Sequence, residues 1–230
     1  MAFMKVRESE VAKEGEGGGY FGTSGLFPAT LKHCEIKGTK NGATQANYYF
    51  DKGNSFGNNL FGTQGQEVFG YKILEALAVV SGNDELSDPE ATAVKFKAGS
   101  KDLMCIPELE DVKLKVWVKY EYSRYNGDIS EKIAVKRFYS EDGVSGSELL
   151  AIASASTEAE KADAQSKKGA QLAKDTKYFE EVKYDDGITA EEVVAWKAAK
   201  SSKAAPTGNA AAAAGFPVAG AATTGFPVAN

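Results

Sequence analysis

VKLKVWVKYEYSRYNGDISEKIAVKRFY, from Val112 to Tyr139, is the stretch whose reading decides the fold. Two runs rich in β-branched and aromatic residues flank Asn126-Gly127, a pair suited to a two-residue turn because both central positions need positive φ. Counting outward from that turn predicts Tyr120 opposite Ile133, Val118 opposite Val135, Trp117 opposite Lys136 and Lys115 opposite Phe138. Alternation along each strand then sorts the hairpin into two faces. Leu114, Val116, Val118, Tyr120, Ile133 and Val135 make a core face. Lys113, Lys115, Trp117, Lys119, Lys132, Lys136 and Phe138 make a face toward solvent.

Two aromatic rings set among lysines match the chemistry of single-strand nucleic-acid binding. Rings stack on unpaired bases at roughly 1–3 kcal/mol each, while ammonium groups follow the phosphates. The same pattern fits a solvated lysine face with Trp117 covered by another element, and the hairpin alone leaves both readings open.

Charge placement bears on the choice. The net charge is −5, which by itself argues against a nucleic-acid partner. Residues 141–200 hold 13 Asp/Glu and 8 Lys/Arg, however, so the rest of the chain is neutral. Within that neutral part, residues 112–139 carry seven bases and three acids. A local basic patch can steer nucleic acid under a negative total charge.

The 230 residues suffice for one domain with a full core plus a tail. No apolar run is long enough to cross a bilayer, and the N-terminal MAFMKVRESEVAKEGE lacks the apolar region of a signal peptide. The expectation is a cytoplasmic protein, in the host cytoplasm if phage-encoded, with no membrane partner. Cys34 and Cys105 are far apart without zinc-ligand spacing and are expected as reduced thiols. His33 is the one histidine and is expected to be exposed or packed rather than a catalytic base. With no nucleophile motif and no assignable carboxylate pair, neither an enzyme, a metal nor a cofactor is expected.

Outward from the hairpin, residues 1–25 are charged and then glycine-rich, and are expected as a flexible arm. GEGGGYFGTSG lacks the Gly-Lys-Ser/Thr ending of a phosphate-binding loop, and no strand precedes it. Tyr20 and Phe21 in the arm could cap the domain or meet a ligand. A second hairpin is expected over residues 27–50, turning at Asn41-Gly42. Tyr48, Tyr49 and Phe50 cannot all share a face; core packing is the ordinary role for each, and Tyr48 is the one nominated for the ligand surface. Residues 51–69 read as a mobile loop leading into a short strand, with Phe56 and Phe61 as rings that could close over a ligand. Ile73, Leu74, Leu77 and Val80 predict a helix over Tyr71–Val80, stopped by Ser81-Gly82. Residues 83–105 read as an irregular connection into the central hairpin. Hairpin, strand, helix, hairpin is the layout of a mainly β, OB-fold-like five-stranded barrel.

The runs YKILEALAVVSGNDEL and IPELEDVKLKVWVKYEYSRYNGDISEKIAVKRFYSEDGVSGSELL add a resemblance. They are similar to phage-encoded single-stranded DNA-binding proteins of replication and recombination loci. Those pair a short helix with a basic hairpin and then a basic-Phe-Tyr, acidic-turn, Ser/Thr-x-x-Glu ending. The resemblance spans residues 26–150. It implies an OB-fold and non-catalytic, sequence-independent binding of single-stranded DNA, with RNA and homo-oligomer formation left open.

Past residue 150 the chain is alanine-rich with mixed charge, expected as a helical or solvated extension over 151–203. Within it, Thr189 should cap a helix with Glu191 and Glu192 in its first turn. Residues 204–230 are low in complexity and expected to be disordered, although GFPVA occurs twice. By the same resemblance such a tail recruits replication or recombination proteins. This one carries no acids and reads Phe-Pro where the family pattern closes on Pro-Phe. The competing reading is a structural or virion-assembly protein using its β-hairpins for subunit contacts.

Overall fold

The computed structural model describes residues 21–51, 55–96 and 99–204, with side chains as far as residue 200. Residues 1–20 of the expected arm 1–25, with Tyr20, and the tail from residue 205 with its GFPVA repeats lie outside the described residues. The chain divides into two compact units, one ending at Ile188 and one starting at Thr189.

Most of the first unit is β. Its strands are β1 (Gly25–Gly38), β2 (Thr44–Phe50), β3 (Ser55–Phe61), β4 (Glu90–Phe96), β5 (Gly99–Cys105), β6 (Val112–Tyr125), β7 (Asp128–Ser140) and β8 (Lys183–Tyr184). They form one open sheet, antiparallel except where the two residues of β8 run parallel to β6. Helix α1 (Phe69–Val80) follows β3, and α2 (Gly146–Ser154), α3 (Glu158–Ser166) and α4 (Ala170–Asp175) follow β7. In the second unit α5 (Ala190–Ala204) starts at Thr189, whose hydroxyl accepts from the Glu192 N–H while Glu192 accepts from the Thr189 N–H. Among the described residues no helix is long and apolar enough to cross a membrane.

β1 organises the topology because it is long enough to serve two neighbours. Its first half pairs with β6 from Gly25↔Val118 to Leu31↔Val112, and its second half pairs with β2 from Leu31↔Phe50 to Gly38↔Thr44. The path β3-β2-β1-β6-β7 results, and β3 and β7 lie against each other across the core with no ladder between them. Helix α1 packs on both of those strands, placing Ile73, Leu74 and Leu77 in the core. Tyr48, Phe50, Leu114, Val116 and Val118 fill its centre.

Both expected turns are present. Asn126 and Gly127 take φ of 51° and 83°, as a primed turn needs. Gly42 takes φ of 80° and donates its N–H to Thr39, so the first hairpin closes through a longer loop than two residues. The central register holds from Tyr125↔Asp128 to Val118↔Val135 and then slips. Trp117 pairs with Arg137, Val116 with Phe138 and Lys115 with Tyr139, leaving Lys136 as the extra residue of a β-bulge. The expected pairs of Trp117 with Lys136 and Lys115 with Phe138 are therefore corrected. The slip stabilises the fold because it turns a large apolar ring inward, where burial is worth about 1.5–3 kcal/mol.

Two connections are more regular than their sequences suggest. The expected loop over 51–69 contains all of β3, paired with β2 from Tyr49↔Ser55 to Thr44↔Phe61. The expected irregular stretch 83–105 contains the β4–β5 hairpin, joined to β1 at Glu35↔Cys105. Phe21 is buried among Phe27, Phe50 and Phe56, and Tyr120 donates its N–H to Ser24 and its hydroxyl to the Phe21 carbonyl. Residues 21–25 thus belong to the folded body.

Candidate nucleic-acid interface

The basic face of the β6–β7 hairpin is not open. After the bulge, Arg137 and Tyr139 stand on the same face as Lys115, Trp117 and Lys119, and the chain from α4 to β8 lies over it. Phe179 meets the Trp117 indole edge-on at 5.4 Å, and the indole N–H is buried without a partner. Asp175 is buried; it accepts from the Tyr139 hydroxyl and from Gln171, and Arg137 Nε lies 3.0 Å away. Burial, reinforced by that carboxylate, pushes the Tyr139 phenol far above its ordinary range. Lys119 Nζ donates to Glu181 at 2.9 Å, and Lys136 pairs with Glu121 across the hairpin. Lys115 is half-buried, and Lys113 and Lys132 remain exposed. The acidic C-terminal region therefore supplies the counter-charges of Lys119 and Arg137, and Trp117 has the covered role that its sequence equally allowed.

The other nominated rings do not join it. Phe138 is fully buried with its ring edge-on to Tyr48, which is itself fully buried. Their place on a ligand surface is corrected: the bulge turns Phe138 inward, and strand parity turns Tyr48 inward. Phe56 is buried against Phe21, and Phe61 is half-buried against Tyr71, so neither stands on an open loop.

Strand parity instead presents a different set on the outer face of β1, β2 and β3. Tyr49 points away from its buried neighbours Tyr48 and Phe50 and meets Phe96 of β4 at 5.8 Å. Phe96 stays 41% exposed. The Tyr49 hydroxyl donates to Glu35 at 2.7 Å, and the Asn47 amide donates to the same oxygen at 2.8 Å. Burial works against the Glu35 charge, but these two donors with Lys37 and Lys101 prevail and hold its pKa below the usual carboxylate range. The Gln45 and Asn47 amides lie across Gly57, where a Cβ would come within 2.1 Å of Gln45 and 2.6 Å of Asn47. Only glycine at this position leaves room for the two amides. The result is an aromatic pair near the half-buried Gln45 amide, with the buried Asn47 and Glu35 between them and Lys37 and Lys101 at hand. The parity of Tyr48-Tyr49-Phe50 was the legible clue to it, and Phe96 ends the run EATAVKF, whose alanines hide its alternation.

Among the described residues no group of three or more His, Cys, Asp or Glu side chains could hold a metal ion. His33 Nδ1 sits 3.7 Å from Glu110, and Cys34 and Cys105 are buried free thiols. No protein-family model and no curated protein matches this chain.

Proposed function

We propose that this chain is a non-catalytic, sequence-independent single-stranded DNA-binding protein of a phage replication or recombination system. Its strand path β3-β2-β1-β6-β7, with a helix after β3, is read here as an opened OB-type arrangement. The observation that carries the proposal is the exposed Phe96 ring, backed by Tyr49, on the sheet face that also holds the half-buried Gln45 amide with Lys37 and Lys101. A ring offers any base its π-face, the Gln45 amide can pair with a base edge, and lysines follow the phosphates.

The binding surface under this reading moves from the β6–β7 hairpin to the outer face of the β1–β3 meander. The test is a titration with labelled oligo-dT against a duplex competitor. Phe96→Ala should weaken binding by about 1–3 kcal/mol, the worth of one stacked base, while losing only the edge-on contact with Tyr49, about 0.5–1.5 kcal/mol of stability. Lys37→Ala with Lys101→Ala should flatten the salt dependence. Equal affinity for duplex, or no binding at low salt, overturns the reading.

The assembly reading has one observation of its own. Among the described residues β4 pairs only with β5, so its other edge can accept a strand from a second copy. A concentration-dependent oligomer that forms without DNA and is abolished by Ala93→Pro would favour that alternative.

A further inference from the structure

A groove of about 890 Å³ runs beside α1, away from the aromatic pair at Tyr49. Its floor is apolar, built from Ile36, Leu60, Leu74, Leu86 and Ile106, and Leu150 of α2 stands at its margin, 56% exposed. Its walls are fixed. Gly146 brings α2 so close to α1 that a Cβ there would sit 2.8 Å from the Ala76 carbonyl oxygen. The segment after α1 is held by the Asn83 N–H on Ala78 and by the Ser87 N–H and hydroxyl on Glu108. A volume of this size with preformed walls lies within the usual range of binding clefts.

Charge decides what fits. Glu75, Asp84, Glu85 and Asp88 line the groove, all exposed, and Lys72 is the one cation among its described lining residues. Carboxylates in that number repel a phosphate backbone, so the groove is unsuited to the nucleic acid proposed for the outer sheet face. The chain's own tail, residues 205–230, carries no charged side chain and gains nothing from such a rim. An apolar floor under an acidic rim is complementary to a segment that alternates large apolar residues with lysine or arginine.

We propose that this groove is a docking site for a basic amphipathic helix of a partner protein. The apolar face of the helix lies on Leu74, Leu86 and Leu150, and its cations meet Asp84, Glu85 and Asp88. The proposal is independent of the nucleic-acid reading.

The test uses the full chain and two labelled peptides of about 14 residues, one pairing leucine with lysine in helical spacing, the other leucine with glutamate. Fluorescence anisotropy at physiological salt should show saturable binding of the lysine peptide, about tenfold or more tighter than its glutamate counterpart. The triple variant Asp84→Asn, Glu85→Gln, Asp88→Asn should weaken it about tenfold, and Leu150→Arg should do likewise, since a rim cation repels the peptide. Glu158→Gln with Asp163→Asn on α3 should change nothing. All of these positions are exposed, so the variants should melt with the wild type. Equal binding of both peptides, or equal loss in the α3 control, would mean general charge attraction and overturn the proposal. A chain ending at residue 204 that binds about tenfold tighter would assign the groove to the tail instead.

Discussion

The Trp117 indole and the Phe179 ring meet edge-on, with centroids 5.4 Å apart and planes at 68°. This contact joins the middle of β6 to the segment behind α4 and partly covers the hairpin's second face. Trp117 therefore acts in folding, and its loss should be read in stability before binding.

Trp117→Ala should cost about 2–4 kcal/mol, below the full range for a buried aromatic because the ring is only partly enclosed. Phe179→Ala should cost less, and the double variant should reveal a coupling of about 0.5–1.5 kcal/mol. Urea unfolding of the four proteins measures both. An unchanged midpoint for Trp117→Ala, with weaker oligo-dT binding, would mean that Phe179 does not cover it in solution.

Phe138→Ala should cost about 3–5 kcal/mol, since it empties a fully enclosed core position against Tyr48. Deleting Lys136 should be much milder. Removing the extra residue restores a regular ladder while Phe138 stays inward, and the pair lost with Glu121 is worth at most about 1 kcal/mol. Thermal melts that rank the deletion below Phe138→Ala would argue against the bulge.

Asp175→Ala should destabilise by about 1–3 kcal/mol, because it strands the buried Tyr139 hydroxyl and the Arg137 guanidinium together. Tyr139→Phe should cost less, since Asp175 keeps Gln171 and Arg137. The reverse order in chemical unfolding would show that the phenol, and not the carboxylate, anchors α4.

Glu148 should make stability fall in acid. Burial opposes its charge, but the N–H groups of Gln171 and Ser145 with the Ser145 hydroxyl outweigh that and hold its pKa below the ordinary value. A lowered folded pKa contributes stability that is complete above the unfolded value of about 4.3 and is lost as pH falls through the folded one. Glu148→Gln should therefore melt lower than wild type near pH 7, and the gap should close as pH falls below the unfolded value. A gap that stays constant across that range would remove Glu148 from the acid limb.

Several features of this protein were legible in the chain alone, for reasons that are local. Asn126-Gly127 predicts the central hairpin because few residue pairs tolerate two positive φ angles in succession. Alternation marks β6 with its buried Leu114, Val116, Val118 and Tyr120. The 3.6-residue spacing of Ile73, Leu74 and Leu77 marks α1. Thr189 with Glu192 forms a cap that four consecutive residues specify.

Tertiary structure decided the rest, because there the determining partner is remote in sequence. The bulge at Lys136 left a faint trace, the three-residue step from Val135 to Phe138, but it is the core around Phe138, with the Tyr48 ring against it, that makes the slip favourable. β4 and β5 carry alanines and charges that hide their alternation, and it is pairing with each other and with Glu35 of β1 that makes them strands. Trp117 with its lysines could equally face solvent or a covering layer. Asp175, Phe179 and Glu181 settle that choice from about 60 residues away, since side-chain burial is fixed by what packs against a face and not by the face itself.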